Sequence, residues 1–263
     1  IGFERSLKLS WAKTSVGVVL QDSAEFCPNT LFERVFCELD RLDQNRSVLY
    51  ENGIRHELGI RSKELNLADS DLVEMQGKTI LITGGAGKLG FIFAEHLAGK
   101  EEGLNLILIG RSEMTAEKKM RIEALEKAKH EVLYLQVDVC DAVAMKKGLE
   151  IARERFGSID GVLHTAGIGG AESVFEKRVE DFQSVLDPKI KGTLVLDEIL
   201  RHEPLMFVCY FSSSSAILGD FGSCDCSIGN RFLMSYAGYR SRLEEKGERV
   251  GKTIVIHWPL WSE

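Results

Sequence analysis

The residues with the most chemistry to offer form one run, Thr83-Gly84-Gly85-Ala86-Gly87-Lys88-Leu89-Gly90, set between the apolar stretch Thr79–Thr83 and the apolar helical stretch Phe91–Leu97. Glycines at 84, 87 and 90 allow a tight turn, close approach of a pyrophosphate and tight packing of the helix that follows. A helix start also presents unpaired N–H groups and the positive end of the backbone dipole, which suits phosphate. A glycine triplet alone is a common turn. Placed between a buried strand and a helix, it reads as a dinucleotide-binding loop. The next apolar stretch ends in Gly110-Arg111-Ser112 where an NAD-binding chain usually carries an acidic residue for the ribose hydroxyls. Arg111 can pair with a 2′-phosphate, so the expected cofactor is NADPH. Its bland alternative is a solvated loop cation. Asp138, closing the third strand, is expected near the adenine, or else serves as a turn carboxylate.

These residues need a parallel sheet to hold them. Strands are expected at Thr79–Thr83, Leu104–Gly110, Val132–Val139, Gly161–His164, Met206–Phe211 and Thr253–His257, with helices such as Ala116–Lys129 and Ala142–Arg155 between them. The strands are apolar without alternation, as parallel strands covered on both faces are. The fold class is therefore α/β, a Rossmann-like doubly wound parallel sheet with right-handed crossovers, over 73–263. Residues 1–72 read differently: a strand Val16–Leu20, a helix Leu31–Leu42, and strands Ser47–Tyr50 and Ile54–Leu58 around the hairpin signal Asn52-Gly53. That is too little for a complete doubly wound domain and is expected to be a truncated, Rossmann-like structural subdomain leaning on the second segment.

At 263 residues, 44% hydrophobic and 28% charged, the chain has the balance of a globular protein, and Ile1 and Glu263 look like the ends of a piece of something longer. No apolar run reaches the roughly 20 residues a membrane helix needs. A net charge of −7 without a basic run argues against a nucleic-acid surface. The six cysteines, at 27, 37, 140, 209, 224 and 226, include no C-x-x-C pair. They are expected to be reduced thiols in a cytoplasmic protein, with no metal site.

The run Thr83–Gly90, Gly110-Arg111-Ser112, Asp138 with Asp141, and Ile159 to Gly167 together resemble the ketoreductase domains of modular polyketide synthases, members of the short-chain dehydrogenase/reductase superfamily. Further matching stretches are Asp187-Pro188-Lys189-Ile190-Lys191-Gly192, Phe211-Ser212-Ser213, Gly229-Asn230 with Phe232, and His257-Trp258-Pro259-Leu260-Trp261, the last most like synthases served by separate acyltransferases. The set spans nearly all of 73–263 in the family's order, and a truncated subdomain ahead of the catalytic one fits the family too. The resemblance implies reduction by NADPH of a β-ketoacyl group carried on the phosphopantetheine arm of an acyl carrier protein, within a multidomain synthase. It adds Val139, Ala166 and Gly167 to the cofactor site, and it assigns catalytic roles to Lys189, Ser213 and Asn230. Read singly, Lys189 follows Pro188 at what looks like a helix start, Ser213 lies within the run Ser212–Ser215, and Asn230 could satisfy backbone groups inside a helix.

One departure matters. The family places a tyrosine thirteen residues beyond the serine and four before the asparagine, and both counts land on Cys226. Tyr236 and Tyr239 lie roughly 15–20 Å further along a helix and cannot substitute. Ketone reduction is expected to be impaired, whether the cysteine is natural or introduced. The alternatives are a non-catalytic scaffold domain in a synthase and a free-standing short-chain dehydrogenase, the latter disfavoured by the half-domain in front. The family's stereochemical signatures are also missing: Ile168-Gly169-Gly170-Ala171 replaces a Leu-Asp-Asp motif, and Leu218 replaces a tryptophan.

Overall fold

The computed structural model describes residues 1–11, 13–22, 26–41, 47–62, 64, 74–169, 173 and 175–259. The expected boundary between residues 72 and 73, Gly170-Ala171 and Leu260-Trp261 lie outside the described residues. The N-terminal part contains α1 (Gly2–Ser10), β1 (Val19–Gln21), α2 (Pro28–Leu39), β2 (Val48–Glu51) and β3 (Ile54–Glu57). β2 pairs parallel with β1 and antiparallel with β3. The Asn52-Gly53 turn has positive φ at both residues, 51° and 72°, the conformation that matches hairpin twist. β1 begins later than the apolar run suggests, and α2 begins three residues earlier than expected because Pro28 occupies its first position, where a missing N–H costs nothing.

Glu38 on α2 ties this unit together. Its carboxylate accepts from Arg55 Nε (2.6 Å), Arg55 Nη2 (2.8 Å) and the Tyr50 hydroxyl (2.7 Å). The arginine beside it is the main reason the carboxyl sits at about 2, below its ordinary 4.5. A depressed carboxyl pKa stabilises the fold at all pH above the ordinary value, and that stabilisation disappears as pH falls from about 4.5 through about 2. Glu38→Gln should therefore cost about 1.5–3 kcal/mol at neutral pH. In urea unfolding the gap from the parent protein should close between pH 4.5 and 2; a gap that stays constant with pH would contradict this.

The second part begins with β4 (Thr79–Thr83), α3 (Lys88–Ala98), β5 (Asn105–Gly110), α4 (Ala116–Lys127), β6 (Glu131–Gln136), α5 (Ala142–Phe156) and β7 (Gly161–His164). It continues with α6 (Val179–Ile199), β8 (Phe207–Ser213), α7 (Ser215–Leu218), α8 (Cys224–Glu245) and β9 (Lys252–Trp258). The strands form one parallel sheet in the order β6-β5-β4-β7-β8-β9. Alternate side chains serve opposite faces: Leu81, Ile107, Val162 and Tyr210 join Met145, Leu149, Leu196 and Leu233 on one side. Ile80, Ile82, Leu106 and Leu108 join Phe91, Ala94 and Leu125 on the other. Each such buried aliphatic side chain contributes about 1.5–3 kcal/mol against solvent, which is why the strands carry no polar alternation. β5 and β7 leave β4 in opposite directions, so a crevice opens at the carboxyl ends of β4 and β7, where ligands of open α/β sheets bind.

Three expectations need correction. β6 ends at Gln136, so Asp138 and Val139 lie beyond the strand; Asp141 caps α5 by accepting from Val143 N and Ala144 N, and the turn before it takes the preceding residues out of the sheet. β8 runs on to Ser213, because Ser212 and Ser213 still pair with His257 and Trp258 of β9. Lys189 is not at a helix start: α6 continues through Pro188, which is buried in its interior.

Candidate active site

The loop after β4 is built from glycines used for space. Gly84 takes φ +66°, and Gly87 N donates to its carbonyl at 2.8 Å. Gly90, in the first turn of α3, lies so close that a Cβ would sit 2.3 Å from the Gly84 oxygen and 2.5 Å from the Gly85 Cα. The Thr83 hydroxyl accepts from Ala166 N (3.3 Å) and meets His164 Nδ1 (2.6 Å), while Thr165 Oγ1 donates to the Thr83 carbonyl (2.7 Å). These bonds stitch the end of β4 to the end of β7 at the switch point. His164 is fully buried, and burial lowers its pKa to about 4, so it is neutral.

Two cavities meet at Ala166, Gly167 and Ile168. The smaller, about 90 Å³, is walled by Gly84, Arg111, Val137, Asp138, Val139 and Pro188 among others. Arg111 and Asp138 face each other across it, with Nη1 and Oδ2 3.9 Å apart. Lys118 of α4, a cation that the sequence reading missed, reaches back at 2.6 Å to the Oγ of Ser112, the residue next to Arg111. The larger cavity, about 470 Å³, is lined by Gly87, Lys88 and Leu89 of the loop and by Lys189, Ser213, Cys226 and Asn230. The buried Ala86 and Gly85 support the loop from behind, Gly85 N donating to Ile109 O.

The four catalytic candidates come from three elements, α6, β8 and α8, yet share one cavity. Asn230 lies one turn after Cys226 on α8, and Ser213 is the last residue of β8. Lys189 Nζ donates to Asn230 Oδ1 at 2.8 Å, Asn230 Nδ2 donates to Ser215 Oγ at 3.0 Å, and Ser215 N donates to Ser213 Oγ at 3.2 Å. Ser213 thus accepts from the backbone and keeps its own proton to donate. Ser215 links the chain and was not among the expected site residues; the run of four serines concealed it. The Lys189 stem passes between two glycines, since a Cβ would meet it at 3.3 Å on Gly167 and 2.9 Å on Gly229. Burial lowers the Lys189 pKa, and the nearby carboxylates of Asp225 and Asp220 oppose that shift. Trp258 stacks on Phe211 at the cavity wall (5.7 Å, 18°). Tyr236 is packed against Tyr210 and Phe232, away from the four candidates. Among the described residues no cluster of three or more His, Cys, Asp or Glu side chains could hold a metal, and no helix is long and apolar enough to cross a membrane.

A parallel sheet with a glycine-walled loop at its switch point, and a lysine, asparagine and serine joined beside that loop, defines a reductase-type domain of the Rossmann-like class. The chain belongs to the KR domain family, whose model matches residues 78–263. It is 44% identical over its full length to the polyketide synthase PksM of Bacillus subtilis (strain 168), of which it spans only 6%. It superposes with a TM-score of 0.88 on the crystal structure of a ketoreductase domain from the bacillaene assembly line, at 32% identity, covering all of this chain and 62% of that one. An N-terminal ketoreductase from the macrolactin assembly line matches with a TM-score of 0.81 at 29% identity, over 99% of this chain and 52% of that one. The chain is a ketoreductase-family domain of a polyketide synthase.

Proposed function

We propose that the domain binds NADPH in the joined cavities, and that its reduction of a β-ketoacyl group on an acyl carrier protein is impaired because Cys226 stands where the family has tyrosine. The observation that carries the reading is the hydrogen-bonded chain from Lys189 through Asn230 and Ser215 to Ser213, opening into the same cavity as the phosphate loop. The residues fit the cofactor. Gly84–Gly90 leave room for a pyrophosphate at the start of α3, Asp138 and Val139 border an adenine-sized cleft, and Arg111 with Lys118 suits a 2′-phosphate. Ala166 and Gly167 lie where the two cavities join and would flank the nicotinamide half.

When bound, NADPH supplies a hydride for the ketone carbon. The chain's part is to hold the ketone oxygen and deliver a proton. Ser213 can donate a hydrogen bond to that oxygen as its charge grows. Lys189, held by Asn230, places a positive charge behind the site. The remaining need is an acid within about 2.6–3.2 Å of the oxygen, and Cys226 is the side chain on that wall. The second reading, a non-catalytic scaffold between synthase domains, is favoured by the same cysteine. The longer relatives support flanking synthase domains, and a carrier-protein partner and a cytoplasmic location go with that reading.

Fluorescence titration tests the cofactor half directly. NADPH should bind, and Arg111→Ala should weaken NADPH by about 10–100-fold while leaving NADH nearly unchanged, since a charge-assisted phosphate contact is worth about 1.5–3 kcal/mol. Equal losses for both nucleotides would remove Arg111 from the 2′-phosphate. No NADPH binding at all would overturn the function.

A further inference from the structure

Lys177 ends the turn that leads toward α6, with Glu176 N and Lys177 N both donating to the Ser173 carbonyl. Its ammonium pairs with Asp225, 48 positions on, in the first turn of α8. The two side chains are 4% and 0% exposed. A buried ion pair gives little stability beyond what an apolar pair of similar volume would give, because both charges lose their water; its better-attested use is to specify one arrangement. Here the arrangement concerns position 226. The other Asp225 oxygen accepts from Cys226 N at 2.9 Å, so the carboxylate joins Lys177 to the backbone of the residue at the cavity wall.

The surroundings repeat the pattern. Phe175 meets Trp11, the residue closing α1, edge to face at 6.1 Å. Within α1, the Ser6 hydroxyl donates to Ser227 Oγ at 2.9 Å and accepts from Asp220 N at 2.9 Å. Residues 225 and 227 are therefore each held from outside their helix, one by the stretch before α6 and one by the N-terminal helix. The residue between them faces the cavity.

We propose that Lys177 is a positioning residue, whose ion pair with Asp225 holds Phe175–Arg178 against the first turn of α8 and so sets the orientation of side chain 226 in the cavity. The role rests on reading the cavity as the reductase site. The charge itself has a consequence for Lys189, which feels the Asp225 carboxylate. Without Lys177 that carboxylate would be buried without its ion-pair partner.

Cys226 supplies its own reporter. The rate at which iodoacetamide alkylates it in the intact domain can be followed by mass spectrometry, with the exposed Cys27 and Cys37 as internal references. Lys177→Met should raise the Cys226 rate about tenfold, because breaking a buried pair loosens the local unit around it. Lys177→Met with Asp225→Asn removes both charges, avoids a bare carboxylate, and should raise the rate similarly. Lys177→Arg keeps the charge and should stay within about twofold of the parent. If the single variant does not fold, the double variant decides. A Cys226 rate unchanged in the folded variants, with only the melting temperature lowered, would overturn the proposal. The readout needs no turnover, so loss of the reductase reading would show separately, as a failure of the unaltered domain to bind NADPH.

Discussion

Cys226→Tyr should raise NADPH-dependent reduction of a β-ketoacyl thioester by about 10²–10⁴-fold, the usual worth of a positioned acid. The reason is reach rather than acidity. A free thiol titrates near 8.5 and a phenol near 10, so the thiol is not the weaker acid. It ends one bond beyond Cβ, about 4 Å short of a phenol hydroxyl, while proton transfer needs a gap of about 2.6–3.2 Å. A water could bridge the difference but would be loosely placed. The cavity beside Cys226 measures about 470 Å³, which is room for a phenol ring without displacing the core. Because Lys189 of α6 already donates to Asn230 of α8 at the same wall, the new hydroxyl would join an assembled network instead of having to create one. The measurement is NADPH oxidation with a carrier-mimic thioester, with nucleotide affinity followed in parallel. A variant that binds NADPH as before yet gains no rate would show that the defect lies elsewhere and would favour the scaffold reading.

The loop and the strand positions were legible in the sequence because both depend on local chemistry. Five consecutive buried positions in Thr79–Thr83 demand an apolar run, and Gly84 and Gly90 mark places where backbone meets backbone. Asn52-Gly53 announced its hairpin for the same reason, since few other pairs accept two positive φ angles. Strand ends were less legible. Val137 and Val139 are as apolar as the strand before them, but Asp141 caps the next helix and draws those residues out of the sheet. Lys189 was misplaced at a helix start because Pro188 usually marks one, whereas packing keeps α6 continuous through it.

What the sequence could not show is which distant residues touch. Ser215 enters the site only because β8 and α8 converge on it, and nothing in Ser212–Ser215 sets it apart. Lys177 and Asp225 are 48 positions apart, each in a stretch where a charged residue reads as solvated. Gly167 was expected at the cofactor and Gly229 beside Asn230, but only the fold shows the Lys189 stem passing between them. Periodicity reports which face of an element is buried; it carries no information about which side chains share that burial.

Gly90→Ala should abolish most of the nucleotide affinity and destabilise the fold, although helix propensity alone predicts the opposite. In an ordinary helix the change would help by about 1 kcal/mol. At this position the added Cβ would lie 2.3 Å from the Gly84 carbonyl oxygen and 2.5 Å from the Gly85 Cα, and neither is a flexible side-chain end that could swing aside. Either α3 or the loop must shift, which costs about 1–3 kcal/mol as overpacking does. Moving the loop also re-aims the N–H groups at the start of α3 where the pyrophosphate would lie, so NADPH should bind at least about 100-fold more weakly, close to 3 kcal/mol. Gly238→Ala separates the two effects. Gly238 sits inside α8 with nothing within 4 Å of an added Cβ, so that variant should gain about 0.5–1 kcal/mol and keep its affinity. Thermal unfolding with and without NADPH reads both quantities, because a ligand that binds only the folded state raises the melting temperature by an amount that grows with the logarithm of its affinity. A Gly90→Ala protein that melts higher than its parent and still gains stability from NADPH would show that the contact between α3 and the loop is not what holds the phosphate site.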